Sequence, residues 1–153
     1  MKSKDYENRA ELHLHTKLSD GISVIGVKEI FEKAQLYGVD TVAFTGLNSV
    51  QDFPEIMECS KKYANIKVIY GAQVRYRNND AIYNGITLLA KNQAGIKELY
   101  KVISSIKKVD GCYLIDIGVL KNNRKNLLVG SCGYEGELYD AMGNNEGESV
   151  AKF

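Results

Sequence analysis

Strand-like segments alternate with amphipathic helical segments along the 153 residues of this chain. Apolar side chains recur at helical spacing in Val27–Tyr37 and again after Asn92, whereas the runs between such segments are short and apolar. The pattern predicts strands at 10–15, 41–45, 67–70, 86–90, 113–117 and 127–130, and helices at 27–37, 52–63, 92–106 and 135–142. Because a helix between parallel strands must cross back over the sheet, this alternation predicts a mostly parallel α/β sheet, open or closed into a barrel.

Two places interrupt the alternation. Gly71 is predicted to end the third strand, with residues 72–76 as a candidate continuation beyond it. Residues 75–85 are polar and turn-prone, so a loop is predicted there. No repeat or linker-like segment divides the chain, and we expect a polar lead-in (1–9) followed by one domain (10–153).

Composition narrows the classes of function. The chain is 44% apolar with a net charge of +1, which is ordinary for a soluble globular domain and gives no global attraction to nucleic acid or an anionic membrane. The three cysteines form no C-x-x-C pair, which argues against a disulfide framework and a structural zinc knuckle. The amino terminus has no apolar run typical of a signal peptide, so we expect a cytoplasmic protein.

The only two histidines stand two residues apart, in the segment ELHLHTKLSDG. A strand sends residues i and i+2 to the same face, so His13 and His15 are expected to point together. Asp20, in a Ser-Asp-Gly turn beyond them, could add an oxygen ligand. These three residues form a candidate metal site. The alternative is a buried strand whose one face carries two histidines without any metal.

Five segments follow one another in the order of a known family: RAELHLHTKLSDG, TVAFTG with QDFPE, NIKVIYGAQV, ITLLAKNQAGIKELYKVIS and LLVGSCGYEGELYDAM. They resemble the polymerase and histidinol phosphatase (PHP) domain family, in the form found in PolC-type bacterial DNA polymerase III. The resemblance implies a distorted (βα)7 barrel whose strand ends hold up to three metal ions, which in active members activate water against a phosphate ester. It also implies that this barrel is incomplete at its C-terminal end.

The resemblance assigns His13, His15 and Asp20 to metal-ligand positions of the family and shows several departures elsewhere. Leu47 stands in place of a histidine, within Thr45-Gly46-Leu47 where the family has Thr-Asp-His. Gln73 stands in place of the glutamate of a Gly-x-Glu motif. An amide is a weaker ligand than a bridging carboxylate.

Two more ligand positions differ. The family's next histidine corresponds to Asn84 or Gly85, and its cysteine corresponds to Gly133. Cys132 comes one residue early, and on a strand that shift would point its thiol to the opposite face. The expectation is therefore a degenerate metal site with no catalytic residue, made of His13, His15 and Asp20 with Gln73 as a further candidate.

The resemblance then implies a role in DNA replication. We expect a scaffold that packs against a polymerase core or other replication proteins and meets DNA only through the parent polymerase. No cofactor is expected, apart from at most one weakly bound zinc or manganese ion. The short 75–85 segment leaves no room for the exonuclease that PolC-type chains typically insert there. One alternative is a metal-dependent phosphoesterase with a reduced one-metal site, completed by Cys132 or Gln73, and another is a remnant that pairs with a partner through an open barrel edge.

Overall fold

The computed structural model of the chain describes residues 9–19, 21–78 and 81–143. Seven strands and five helices follow one another in these segments. In chain order they are β1 (Ala10–Leu14), α1 (Val27–Tyr37), β2 (Thr41–Leu47), α2 (Phe53–Lys62), β3 (Lys67–Asn78), β4 (Ala81–Ala90), α3 (Gln93–Ser104), β5 (Lys107–Val109), β6 (Cys112–Leu114), α4 (Ile117–Asn122), β7 (Leu127–Ser131) and α5 (Glu137–Gly143). A 3₁₀ turn over Gly133–Glu135 precedes α5.

Five of the strands form one sheet in the order β1-β2-β3-β4-β7, and β5 pairs with β6 in a separate hairpin. The strands β1, β2 and β3 run parallel, whereas β4 is antiparallel to both β3 and β7. The sheet is curled into part of a barrel, with β1 and β7 at the two edges of its described portion. The predicted α/β class and incomplete barrel are confirmed, but only half of the sheet is parallel.

The antiparallel half arises from a long hairpin where the sequence predicted a loop. Backbone pairing between β3 and β4 extends from Gly71 opposite Leu89 to Asn78 opposite Ala81. A direct reversal of this kind makes the second strand antiparallel to the first, without a crossover helix. The polar residues at 75–80 suggested a loop, but an antiparallel strand needs apolar side chains on only one of its faces.

Gly71 does not end the third strand but lies within β3, and the candidate continuation over 72–76 is found. Its backbone pairs with Thr45 on one side and Leu89 on the other. A Cβ at this position would lie 2.6 Å from the carbonyl oxygen of Leu88 and 2.7 Å from Cδ2 of Leu89. The absence of a side chain therefore allows the two strands to approach each other closely here.

The apolar core lies between one face of the sheet and the three longest helices. Phe44 of β2 contacts Phe31 of α1, with 5.6 Å between ring centroids, and Phe31 stacks on Tyr63 at 5.3 Å. Leu88 of β4 and Leu99 of α3 are fully buried in the same cluster. The alternation of side chains along each strand leaves the opposite face of the sheet for polar residues.

The predicted helices 27–37, 52–63 and 92–106 are found with small changes in their ends. Gly38 ends α1 in the left-handed conformation, and Asn92 caps α3 by accepting a hydrogen bond from the backbone N–H of Gly95. The predicted strand 113–117 is shorter, since Asp116 caps α4 instead of extending β6. None of the helices in the described segments is long and apolar enough to cross a membrane.

Candidate functional site

The two histidines meet, as their spacing predicts. His13 lies in β1 and His15 follows its end, and their ring centroids are 4.9 Å apart. The Nε2 atoms of the two rings are 3.2 Å apart, and Nε2 of His13 lies 2.9 Å from Oε1 of Gln73. Three polar atoms from two parts of the chain therefore converge at one point. Asp20, the third predicted ligand, lies outside the described residues.

Sheet register explains why Gln73 reaches the histidines. Its neighbours Ala72 and Val74 are buried in the apolar core, so alternation turns Gln73 to the opposite face of β3. Gln73 is Cα partner to Leu47 of β2, the strand that lies between β1 and β3. Gln73 is only 4% exposed. Gln73 lies within β3, in the continuation of that strand past Gly71.

Ser19 is a site residue that the sequence analysis missed. Its hydroxyl oxygen lies 3.2 Å from Nδ1 of His15 and accepts a hydrogen bond of 3.2 Å from the backbone N–H of Leu47. Ser19 therefore links the loop after β1 to the end of β2 and orients the ring of His15. Its position in the turn directly after the two histidines was the only signal in the sequence. At Leu47, where the resemblance implies a histidine, the backbone rather than the side chain supports the site.

One pair of tautomers describes these contacts. With a proton on Nδ1, His15 donates to Ser19 and directs the lone pair of its Nε2 towards His13. With a proton on Nε2, His13 donates to the amide oxygen of Gln73. The one Nε2–H of His13 then faces two acceptors, Oε1 of Gln73 and Nε2 of His15, and a cation could replace this proton between the three polar atoms.

The spacing of these atoms also fits a single metal ion. Tetrahedral zinc with ligands at 2.0–2.1 Å places its ligand atoms about 3.3 Å apart, close to the 3.2 Å and 2.9 Å found here. Two imidazole nitrogens and an amide oxygen, contributed by His13, His15 and Gln73, are all neutral ligands. Within the segments that the structure describes, no group of three or more His, Cys, Asp and Glu side chains is placed to hold a metal ion. The three described ligand atoms match the ligand spacing of one ion.

Cys132 lies on the same side of the sheet as Gln73, which corrects the expectation of the opposite face. Thr87 is the direct cross-strand partner of Gln73, and its Oγ1 lies 2.9 Å from Sγ of Cys132. The expectation fails because of the strand register: Gly130 is the Cα partner of Thr87, and Cys132, two residues further on, falls on the same face, just past the end of β7 at Ser131. Polar side chains therefore extend from the histidines across the sheet to this thiol.

A buried carboxyl group supports the loop that follows the histidines. The hydroxyl of Thr16 donates to Oδ2 of Asp52 at 3.2 Å, and both residues are almost fully buried. Burial raises the pKa of Asp52 above its usual value, and the hydrogen bond from Thr16 lowers it by a smaller amount. Oδ1 of Asp52 has no hydrogen-bond partner within the described part of the chain. The sequence identified Asp52 only as a helix start.

Comparison with known proteins gives a family for this arrangement. The sequence model of the PHP domain matches residues 11–152. The DNA polymerase III PolC-type of Bacillus subtilis is 30% identical over 123 residues, which cover 72% of this chain and 8% of the polymerase. The PolC-type polymerase of Caldanaerobacter subterraneus subsp. tengcongensis is 45% identical over 67 residues, covering 44% of this chain and 5% of the polymerase.

A solved amidohydrolase from Chromobacterium violaceum aligns with a TM-score of 0.47 and 19% identity, over 61% of this chain and 32% of that one, which is too distant to carry an argument. The chain spans less than a tenth of the length of the two polymerases. The family match, by contrast, covers nearly all of the sequence and agrees with the resemblance of the five segments. The chain belongs to the PHP domain family.

Proposed function

We propose that this chain serves DNA replication in the cytoplasm as a non-catalytic PHP module of a PolC-type DNA polymerase III. Its role is to pack against the polymerase core, or other replication proteins, and to stabilise them. Family membership and the similarity to PolC-type polymerases support the replication context. The single observation that carries the non-catalytic part is the neutral amide of Gln73 at the meeting point of His13 and His15.

The chemistry of metal clusters explains why a neutral amide at this position argues against catalysis. Two-metal hydrolysis holds its ions about 3.5–4 Å apart, and bridging carboxylates offset the repulsion between ions at that separation. The ligands at Gln73, His13 and His15 carry no negative charge. A second divalent ion beside the first would therefore be strongly repelled. We infer that one metal position is the most that this cluster supports.

The loop after the histidines offers a surface for the proposed packing. Leu18, Ile22 and Val24 are 42%, 49% and 95% exposed, although their side chains are apolar. Exposed apolar side chains are enriched at the cores of protein–protein contacts. The net charge of +1 gives no strong field for direct DNA binding, so we infer that DNA contact occurs through the polymerase.

The first test of the proposal measures phosphodiesterase activity. The purified chain is incubated with zinc or manganese and bis(4-nitrophenyl) phosphate, beside a His13→Ala, His15→Ala double variant. We expect no turnover above the buffer rate for either protein. Turnover by the wild type that the double variant loses would overturn the non-catalytic proposal.

The second test measures association with a purified PolC-type polymerase by analytical ultracentrifugation. We expect the wild type and the double variant to bind equally, because the proposed packing does not use the histidines. A Val24→Asp variant should bind more weakly, since it places a charge in the apolar loop. No association of the wild type would contradict the scaffold role.

A one-metal phosphoesterase is the second candidate, because the spacing of the three polar atoms fits a tetrahedral ion. His13, His15 and Gln73 would hold a weakly bound zinc or manganese ion. Such an ion, when bound, acidifies a water molecule so that it can act as a nucleophile. Metal analysis of protein purified without chelator separates the candidates: stoichiometric metal together with turnover favours the enzyme, and an empty site favours the scaffold.

A further inference from the structure

Positive charge is concentrated in one part of the chain. Residues 91–125 hold eight of the 20 basic residues and three of the 19 acidic ones, which gives them a net charge of +5 in a chain whose total is +1. This segment comprises α3, the hairpin of β5 and β6, and α4. Such an asymmetry of charge is typical of a surface that binds a polyanion. The near-neutral total is therefore the sum of a basic segment and an acidic remainder.

Hydrogen bonds bring cations from separate parts of this segment together. The side chain of Lys91 donates to the carbonyl oxygen of Lys125 at 3.3 Å, which joins the end of β4 to the turn before β7. Glu98 of α3 accepts hydrogen bonds of 2.8 Å from the backbone N–H and from Nδ2 of Asn126, in the same turn. Lys101 follows Glu98 by three residues and is therefore its neighbour on the surface of α3. We refer to six exposed cations of this region as the basic surface: Lys91, Lys97, Lys101, Lys121, Arg124 and Lys125.

No ion pair offsets the charge of the basic surface within the part of the chain that the structure describes. The three acidic residues of the segment have other contacts. Glu98 fixes the turn before β7, and Asp110 pairs with Arg77 at 2.6 Å. Asp116 caps the N-terminus of α4. Like charges held near one another repel, so a ligand that supplies negative charge is favourable at this surface.

The neighbouring side chains favour a nucleic-acid duplex over other polyanions. Residues 121–126 include no apolar side chain, whereas the core of a protein–protein interface is apolar and a membrane-binding helix inserts an apolar face. Tyr100 is the one aromatic residue of α3, and its ring packs towards Phe53 of α2, with 6.0 Å between centroids. Single-stranded nucleic acids are held by stacking on aromatic side chains. The basic surface instead offers charge alone, which suits the backbone of a duplex.

We propose that the basic surface binds the phosphodiester backbone of a double-stranded nucleic acid without reading its sequence. Lys and Arg side chains neutralise phosphates, and duplex DNA carries one negative charge per about 1.7 Å of its axis. The surface adjoins the start of β7, whereas His15 follows the end of β1, and these two strands run in the same direction. It therefore lies at the end of the sheet opposite to the histidines. In the proposed function DNA contact occurs through the polymerase, and this inference goes beyond it by adding a direct contact at short range.

Salt dependence tests the proposal on the unmodified chain. A fluorescein-labelled DNA duplex of about 20 base pairs is titrated with the protein at about 50 to 200 mM sodium chloride, and fluorescence anisotropy is measured. We expect a dissociation constant of about 10–100 μM at the lowest salt concentration. The logarithm of the association constant should fall against the logarithm of salt concentration with a slope of about −3 to −5, because each neutralised phosphate contributes about −0.9. No binding at the lowest salt concentration, or binding that salt does not weaken, would overturn the proposal.

Paired substitutions show whether the basic surface is responsible. Arg124→Gln with Lys125→Gln should weaken binding about tenfold and reduce the salt slope by about 2, because two phosphate contacts are lost. Lys97→Gln with Lys101→Gln on α3 should act in the same way, so the test does not depend on the folding of one variant.

The matched control for these variants lies on α2. Lys61→Gln with Lys62→Gln removes the same charge from an adjacent exposed pair outside the basic surface, and it should change the affinity less than about twofold. Equal weakening in the control and in both surface variants would mean that net charge, not this surface, attracts the duplex.

Competition identifies the class of ligand. Unlabelled DNA duplex, RNA duplex, single-stranded DNA and polyglutamate are added at equal concentrations of negative charge. We expect both duplexes to displace the labelled DNA, and displacement by the DNA duplex alone would restrict the ligand to B-form geometry. Polyglutamate that displaces as well as the duplex would assign the surface to an acidic polypeptide. Stronger displacement by the single strand would assign it to unpaired bases, and either of these two results would contradict the proposal.

Discussion

At Gln73 an amide oxygen faces two imidazoles, and a glutamate there would place a negative charge at almost the same point. We expect Gln73→Glu to bind zinc or manganese at neutral pH about tenfold more tightly than the wild type, because the added charge attracts the divalent ion. Isothermal titration with each metal measures this. Gln73→Asn, which stays neutral, is the matched control and should show no gain. Unchanged affinity in the glutamate variant would mean that His13 and His15 do not form a metal position.

The buried carboxyl group of Asp52 should make the stability of the fold depend on pH. Burial raises the pKa of this carboxyl in the folded protein above 3.8, its usual value. Folding therefore favours the neutral form, and the associated stability is fully present below the unfolded pKa and is lost as pH rises through the folded pKa. Asp52→Asn remains neutral, so it should lose less stability than the wild type between pH 4 and pH 7.

Unfolding in urea is measured at both pH values. Tyrosine fluorescence reports the unfolding, because the chain has no tryptophan. The quantity compared is the change in unfolding free energy between the two pH values. Asp140→Asn, which removes an exposed acid, controls for the loss of one carboxylate. If the two asparagine variants lose as much stability as the wild type, burial of Asp52 has no effect on pH dependence.

The sequence predicted some residues of the site and not others. His13 and His15 were predictable, because a two-residue spacing on a strand fixes a common face. Ser19 was not, since its role depends on the end of β2, which lies 28 positions further along the chain. The side on which Cys132 lies depends on the pairing of Gly130 with Thr87, which the sequence alone does not specify.

Among the secondary-structure elements, β3 allows a prediction about stability at Gly71. We expect Gly71→Ala to lower the free energy of unfolding by about 1–3 kcal/mol, because the new methyl group would overlap the carbonyl oxygen of Leu88. Gly130→Ala in β7 is the matched control. Its Cβ would meet only the carbonyl oxygen of Thr87, at 4.0 Å, so the change should stay within about 0.5 kcal/mol. Equal stability of the two variants would show that β3 and β4 can separate at Gly71 without cost.

Helices were predicted better than strands in this chain. The apolar periodicity of α1 and the cap at Asn92 are local signals, and both predicted helices are found. The hairpin of β3 and β4 depends instead on pairing between strands, which the polar side chains near its turn do not reveal. Pairing in this hairpin makes β4 antiparallel to β3. The prediction of a mostly parallel sheet was therefore wrong at β4.

For the whole molecule, the curled sheet has two edges in its described portion. Leu128 and Val129 of the edge strand β7 are 56% and 43% exposed, and neither side chain is charged. Exposed apolar edge strands pair readily with other chains. We therefore expect the purified chain to associate increasingly with concentration, as measured by sedimentation velocity.

Val129→Lys should weaken this association, because a charged side chain at a sheet edge opposes pairing. Met57→Lys introduces the same charge on the exposed surface of α2, away from both edges, and serves as the control. A wild type that stays monomeric at all concentrations would contradict the prediction. Equal effects of the two lysines would point to net charge rather than to the edge of β7.

The hairpin has a further consequence for the way this fold can be extended. Asn78 and Ala81 are paired across β3 and β4, so the chain leaves and re-enters the sheet at adjacent positions. A guest domain whose own termini are close together could be spliced between them without altering any strand pairing. The fold thus provides a permissive graft point, where a fluorescent reporter or an additional enzyme could be installed and the histidine site left intact.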